Sequence, residues 1–108
     1  MRFVIFVIDG GSNTATPGEG AAIDAFNDRL TQGRHLILAA GIAEPSRATL
    51  IDNRNGLEAI NPGSLFGGSE HYSGFWIIEA ESPEQAQAFA VDGSRACNRR
   101  VELRPFLG

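Results

Sequence analysis

Two apolar segments constrain the fold of this chain more than any other feature, because both are hydrophobic on each of the two sides that a strand presents. They are 3–8 (Phe-Val-Ile-Phe-Val-Ile) and 75–78 (Phe-Trp-Ile-Ile). Runs of β-branched and aromatic residues without polar alternation are typical of strands that are buried on both faces. A fold that contains these strands must therefore cover both faces of its sheet.

The first helix is predicted from a capping pattern that follows the first strand. Thr16 is the predicted N-cap, Pro17 the first helical residue and Glu19 the reciprocal partner of a capping box. Apolar residues then recur at helical spacing. Gly33 is predicted to end the helix, because glycine is favoured just after a helix C-terminus.

A second helix is predicted after a strand at 73–79. Ser82 is its predicted cap, Gln85 the reciprocal partner and Gly93 its end. Apolar runs and turn residues predict the remaining elements, which are strands at 35–40 and 101–107 and a hairpin formed by 47–52 and 57–60.

The order of these elements predicts one α+β domain over residues 1–108. A β-α-β-β-α-β order favours a ferredoxin-like sandwich, here with an extra hairpin. Two helices cover only one face of a four-stranded sheet, and an open apolar face exceeds the patch that a soluble monomer normally exposes. We therefore expect a two-fold homodimer packed sheet to sheet. The alternative is that loops 41–47 and 61–72 fold over this face.

Composition excludes several classes of chemistry. All nine basic residues are arginine, so Schiff-base formation, pyridoxal phosphate anchoring and a phosphate-loop lysine are excluded. The single cysteine, Cys97, excludes an internal disulfide, and no metal site or cofactor is expected. A net charge of −4 argues against nucleic acid and anionic membrane as partners. The N-terminal apolar run is too short for a membrane span, and we expect a soluble, cytoplasmic protein.

His71 is the candidate general base. It lies in the segment Glu70-His71-Tyr72 at the end of a glycine-rich loop. An imidazole titrates near neutral pH, and a carboxylate such as that of Glu70 is able to orient it. Successive residues of an extended chain point to opposite sides, however, which argues against direct pairing of these two. The alternative is a surface histidine with one hydrogen bond.

Four residues are candidate ligand-binding groups. Glu102 and Arg104 share one side of the last strand, and the planar guanidinium of Arg104 suits a carboxylate. The alternative is a structural Glu–Arg pair at the dimer interface. Tyr72 is expected to line a pocket and hold an anionic oxygen. His35, at the start of the second strand, is the fourth candidate. The alternative is that His35 only packs at the end of the strand and binds no ligand.

Three further features are interpreted as structural. The segment 9–12 is interpreted as a plain loop, since it lacks the spacing of a phosphate-binding motif. Cys97 is interpreted as a small, half-buried thiol. The arginines at positions 95, 99, 100 and 104 are expected to form an edge of the protein that is solvated or contacts phosphate.

Three motifs resemble the YCII-related protein family. They are 74–79 (GFWIIE) before a capped helix, 41–45 (GIAEP) and 101–105 (VELRP). The chain is most similar to the branch named for an Asp-Gly-Pro-Phe signature, and the resemblance covers residues 1–106. It implies a ferredoxin-like fold, a dimeric α+β barrel and a pocket between helices and sheet.

The chain departs from this family pattern at both proposed catalytic positions. Where the branch carries Asp-Gly-Pro-Phe, this chain has Pro-Gly-Ser-Leu at 62–65. Smaller YCII proteins carry a histidine in the first helix, proposed to pair with an aspartate after the second strand, and here the helix has no histidine near Ile23. Neither acid-base group is therefore carried over to this sequence.

Together the residues and the resemblance predict a homodimer that binds a small organic metabolite. The expected ligand is a carbonyl or phenolic compound, held between sheet and helices without a cofactor. The alternative is a cofactor-free lyase or isomerase with His71 as general base. The resemblance also permits a regulatory partner of a transcription protein.

Overall fold

The computed structural model describes residues 1–10 and 17–108, which form an α+β fold. The described elements, in chain order, are β1 (Arg2–Gly10), α1 (Glu19–Gln32), β2 (Leu36–Gly41), β3 (Thr49–Asp52), β4 (Ala59–Pro62), β5 (Glu70–Glu79), α2 (Pro83–Cys97) and β6 (Val101–Pro105). None of the helices in this part of the chain is long and apolar enough to cross a membrane.

Four strands form one antiparallel sheet in the order β2-β5-β1-β6. Strands β3 and β4 pair only with each other, in a separate two-stranded sheet. The predicted α+β class, the β-α-β-β-α-β-like order and the extra hairpin are therefore confirmed. In this order β1 and β5, the two strands with continuous apolar runs, are the central strands.

Both helices pack on the same face of the sheet. The buried core contains α1 and α2 side chains together with alternate residues of β1 and β5; its largest members are Phe3, Ile5, Phe26, Leu30, Trp76 and Ile78. The rings of Phe26 and Trp76 meet edge to face, with centroids 5.1 Å apart. This core anchors α1 on the side of the sheet formed by β2 and β5.

Neither of the two described α-helices covers the opposite face of the sheet. Val4 pairs with Ile77 and Phe6 with Phe75, and these residues alternate with the buried core residues along β1 and β5. Leu38 on β2 pairs with Ile77 and is 48% exposed. We call this apolar surface the open face. Neither α1 nor α2 covers it, although the sequence predicts that both faces of the sheet are buried.

The second helix begins as predicted but ends later. The Ser82 hydroxyl accepts a hydrogen bond from the Gln85 amide at 3.1 Å, which confirms the cap. The predicted end at Gly93 is wrong, because α2 continues to Cys97. A Cβ atom at Gly93 would lie 3.3 Å from the Phe26 ring and 3.4 Å from the Trp76 ring. The glycine therefore permits close packing of α2 rather than ending it.

The start of the first helix differs from the prediction. Thr16 lies outside the described residues, and Pro17 precedes the helix instead of opening it. Gly18 is the N-cap residue, with a φ of 89° that favours glycine. The carboxylate of Glu19 forms an ion pair with Arg99 instead of capping the helix, and Gly33 follows the last turn as predicted.

Strand β5 begins three residues earlier than predicted, at Glu70. Val7 pairs with Gly74 and Ile8 with Tyr72, so Ser73 is an extra residue in the ladder. Such a bulge changes which side chains face each side of a strand. Sequence periodicity alone could not place the residues before Ser73 on a face of the sheet.

Position 74 requires glycine because the neighbouring strand β2 lies too close for a side chain. A Cβ atom at this position would lie 2.8 Å from the Ala40 carbonyl oxygen in β2. We predict that Gly74→Ala lowers the free energy of unfolding by about 1–3 kcal/mol, because backbone must shift to relieve the overlap. Urea unfolding followed by Trp76 fluorescence measures this change.

The matched control is Gly20→Ala in α1, where a new Cβ atom meets nothing within 4 Å. This variant should leave stability unchanged or raise it by up to about 1 kcal/mol, because alanine favours helix. Equal stability of the two variants would contradict the role assigned to Gly74.

Candidate functional site

Three predicted ligand-binding residues come together on the open face. The Tyr72 hydroxyl donates a 2.8 Å hydrogen bond to the Glu102 carboxylate. Arg104 donates through Nε to the same carboxylate at 2.6 Å, and through Nη2 to the Tyr72 oxygen at 2.9 Å. We call these three residues with Phe6 the Tyr72 cluster.

Phe6 forms the base of the Tyr72 cluster. Its ring stacks on the Tyr72 ring at 4.4 Å with an angle of 15° between the planes. The guanidinium carbon of Arg104 lies 5.5 Å from the centre of the Phe6 ring, which is a cation–π distance. Pairing of Phe6 with Glu102 in the β1–β6 ladder explains how strands distant in sequence bring these groups together.

The hydrogen bonds within the Tyr72 cluster shift the pKa values of Tyr72 and Glu102 in opposite directions. The bond to Glu102 raises the pKa of Tyr72, and the positive charge of Arg104 only partly opposes this effect. The bond from Tyr72, followed by that from Arg104, lowers the pKa of Glu102. At neutral pH the cluster therefore contains a neutral phenol, a carboxylate and a guanidinium, with no net charge.

These groups already satisfy one another. The phenol uses its proton on Glu102 and accepts from Arg104, while Arg104 contacts both partners. This is the geometry of the structural pair considered as the alternative in the sequence analysis. Ligand binding by Arg104, Tyr72 and Glu102 stays a prediction.

The carboxylate of Glu70 does not reach His71. Both residues lie in β5, and the Glu70 carboxylate forms an ion pair with Arg100. His71 is half-buried and pairs in the ladder with Asp9. Within residues 1–10 and 17–108 the His71 imidazole makes no hydrogen bond or ion pair, and its role as a base stays a prediction.

His35 lies at the other end of the sheet from His71. Its Nδ1 is 2.9 Å from the Glu79 carbonyl oxygen, which accepts only, so Nδ1 carries the proton. The ring packs 4.7 Å from that of Phe89. His71 and Glu79 are separated by roughly 26 Å along β5 at strand spacing. The two histidines therefore do not form one site, and His35 has the contacts of a packed strand-end residue.

A cleft of 430 Å³ lies between α1 and the sheet. We call it the α1 cleft. It combines apolar and polar side chains, which is the composition of small-molecule sites. Its lining includes Val7, Asp9, Ile23, Asn27, Ser73, Phe75, Trp76, Cys97 and Arg99. None of these was a candidate binding residue from the sequence.

Arg99 is the most enclosed charged group in the wall of the α1 cleft, with its side chain 14% exposed. It donates to Asp9 at 3.2 Å and to the Cys97 carbonyl oxygen at 2.8 Å, and it pairs with Glu19 at 3.5 Å. The expectation of a solvated edge is thus wrong for Arg99, while the alternative of a phosphate contact stays a prediction. It is wrong because the chain turns after α2 and carries the guanidinium back toward β1 and α1.

Two carboxylates surround this single guanidinium. Asp9 belongs to β1, so the interpretation of residues 9 and 10 as loop is also wrong. One oxygen of the Glu19 carboxylate is buried and has no hydrogen-bond partner within the described residues. This corner of the α1 cleft is therefore polar and negatively charged overall, although it lies beside apolar walls.

The indole of Trp76 is fixed by Asn27. Its Nε1 donates a 2.7 Å hydrogen bond to the Asn27 side-chain oxygen. This bond leaves both amide hydrogens of Asn27 for other acceptors. One turn of α1 therefore supplies hydrogen-bond donors at the wall of the α1 cleft.

Cys97 behaves as a buried thiol and not as a nucleophile. It is 3% exposed, and burial raises the pKa of its thiol. Reactive cysteines are accessible and have a lowered pKa, which is the opposite environment. The interpretation of Cys97 as a structural thiol agrees with this, but the side chain is buried and not half-buried as expected.

The sequence held weak signals for two of the missed residues. Asp9 directly follows a continuous apolar run, and Arg99 lies in the turn just after the second helix. Nothing in the sequence marked Asn27 as a residue of a binding site, since a polar residue on an amphipathic helix is usually solvated. Only the packing of α1 on the sheet turns Asn27 toward Trp76.

No group of three or more potential metal ligands of the His, Cys, Asp or Glu type occurs in residues 1–10 and 17–108. No protein-family model matches the chain, and no curated protein sequence matches it significantly. The family resemblance of the three sequence motifs therefore stays a prediction.

Tyr72 is the only tyrosine, so its titration is directly observable. We predict that Glu102→Gln lowers the pKa of Tyr72, because the carboxylate is the main cause that raises it. Arg104→Gln should raise this pKa further, because a positive charge that favours the phenolate is removed. The ultraviolet absorbance of tyrosinate in the folded protein measures both shifts.

Asp52→Asn is the control for these titrations, because Asp52 pairs with Arg54 in the separate hairpin. It should leave the Tyr72 midpoint unchanged. A Glu102→Gln variant with the wild-type midpoint would show that the Tyr72–Glu102 bond is absent in solution.

Proposed function

We propose that this chain is a homodimeric protein that binds a small carbonyl or phenolic compound in the α1 cleft, without a cofactor. The observation that carries the proposal is the α1 cleft itself, where the enclosed guanidinium of Arg99 lies beside aromatic and aliphatic walls. Ligand sites typically combine an apolar cavity with a few fixed polar groups.

The walls of the α1 cleft favour a flat organic molecule with one polar oxygen. Ile23 and Trp76 supply apolar surface, and Asn27 supplies amide donors. Within the described residues, Nη2 of Arg99 makes no hydrogen bond. A carbonyl or phenolate oxygen is an acceptor that a guanidinium binds well. The negative charge of Asp9 and Glu19 disfavours a ligand with several carboxylates.

The homodimer is supported by the open face. Its apolar residues on β1, β2 and β5 are covered by neither helix. The loops that were the alternative cover contain Leu65 and Phe66, and both side chains are exposed instead of packed against the sheet. A second copy supplies a matching apolar surface through two-fold symmetry.

Membership of the YCII-related family is part of this proposal. The motif at 74–79 lies in central strand β5 and is followed by the capped helix α2, as the resemblance implies. The described order of helices and strands also agrees with it. A dimeric α+β barrel is the assembly that this family membership implies.

The alternative function, a lyase or isomerase with His71 as base, has less support. His71 is not among the residues that line the α1 cleft. The candidate carboxylate, Glu70, forms an ion pair with Arg100. Binding without catalysis is therefore the function that the geometry favours.

Trp76 is the only tryptophan, so its indole N–H gives one isolated NMR signal from the α1 cleft. We predict that phenol or acetophenone shifts this signal in a saturable manner. Asn27→Ala should weaken binding by about 3- to 10-fold, because one neutral hydrogen bond is lost. Titration of both proteins with each probe measures the dissociation constants.

Asn61→Ala is the matched control, because Asn61 is an exposed asparagine in β4. It should bind both probes as the wild type does. A Trp76 signal that is insensitive to both compounds at millimolar concentration would refute the proposed site. So would equal affinity of the Asn27→Ala and wild-type proteins.

A further inference from the structure

The segment 42–69, which connects β2 to β5, projects an unusual amount of apolar surface. We call it the arm. Five of its large hydrophobic side chains are 63–80% exposed, and they are Ile51, Leu57, Ile60, Leu65 and Phe66. Scattered exposed hydrophobic residues are normal, but several within one short segment mark an interaction surface.

The arm contains a two-stranded ribbon, β3–β4, that pairs with no other strand within residues 1–10 and 17–108. Strands β3 and β4 pair only with each other. Ile51 lies directly opposite Ile60 in this ladder, so the two side chains share one face of the ribbon. An isolated two-stranded hairpin is marginally stable in water and needs a surface to pack against.

The dimensions of the chain also point to missing contacts. Its radius of gyration is 15.9 Å, whereas a compact domain of this length has about 13 Å. Its accessible surface is 7518 Å², compared with about 5,800 Å² for a folded monomer of 11.5 kDa. The excess of about 1,700 Å² exceeds the ~800 Å² that each partner buries in a standard interface.

A second copy of this chain provides the apolar surface that this ribbon lacks. Each chain contains both an unsupported ribbon and an uncovered apolar face, so two copies are mutually complementary. The charges on the open face do not oppose this contact, because Glu102 and Arg104 neutralise each other. The arm's own Asp52 and Arg54 are likewise paired.

We infer that the arm of each protomer packs against its partner subunit, with Ile51 and Ile60 buried in an interface continuous with the open face. This inference rests on the proposed homodimer and adds a second, separate contact to it. Two-fold symmetry makes the contact reciprocal, so each dimer contains two packed arms. The arm is thus an interaction element and not a loop that covers its own sheet.

Three variants separate the arm contact from the face contact. Ile60→Glu places a charge on the arm, where the side chain is 68% exposed, and Leu38→Glu places one on the open face. Val91→Glu is the matched control, since Val91 is 65% exposed and lies on α2, on the other side of the sheet from the open face. Sedimentation equilibrium across protein concentrations measures the dimer dissociation constant of each, and circular dichroism checks the fold.

Ile60→Glu should raise the dimer dissociation constant at least about 100-fold, because each dimer loses two apolar contacts. Val91→Glu should change it less than about 3-fold. A dimer that weakens with Leu38→Glu but not with Ile60→Glu would overturn the arm contact and leave the proposed homodimer standing. Weakening by Ile60→Glu alone would support the arm and refute packing through the open face. A monomeric wild type would refute both.

A second measurement does not depend on a disruptive charge. Ile60→Cys introduces an accessible thiol, while the native Cys97 is buried. Maleimide labelling of the new cysteine should be at least about 10-fold slower in concentrated dimer than in dilute monomer, because the arm is covered. Val91→Cys should label equally fast in both. Equal labelling rates of Ile60→Cys at the two concentrations would overturn the inference.

Discussion

One-sided packing of two helices on a four-stranded sheet is the constraint on which the rest of this structure depends. Phe26 and Leu30 from α1 join alternate residues of β1 and β5 in a single core. Burial of these large side chains supplies the main favourable free energy of folding. The same arrangement leaves the second face of two highly apolar strands uncovered by either helix, and this exposed apolar surface is the basis of the proposed homodimer.

The helix layer also creates the α1 cleft. Because α1 lies over the sheet, Asn27 reaches the indole of Trp76, and Glu19 reaches the guanidinium of Arg99. Asp9 joins Arg99 from β1, so three elements fix one charged group in a sheltered position. On the open face the Tyr72 cluster is instead internally satisfied and electrically neutral. In the proposed function, the face covered by the helices would bind the ligand and the open face would mediate association.

Local signals in the sequence predicted much of the fold correctly. Apolar runs located the central strands, and the Ser82–Gln85 pattern located the start of α2. Glycine residues predicted helix ends less reliably, since Gly93 permits close packing instead of ending its helix. A glycine is favoured both at helix ends and at close contacts, and sequence alone does not distinguish these uses. The bulge at Ser73 was likewise invisible, because it exists only in the pairing of β5 with β1.

What the sequence determined by itself was the class of the fold and the excess of apolar surface, because strand and helix periodicity and hydrophobic content are local properties. It also placed Glu102 and Arg104 on one side of a strand, since side chains alternate along an extended chain. Only the tertiary structure decided that Tyr72 joins them, that His35 and His71 are far apart, and that Arg99 is sheltered beside Asp9. These relations depend on strand order and register, which bring together residues that are distant along the chain.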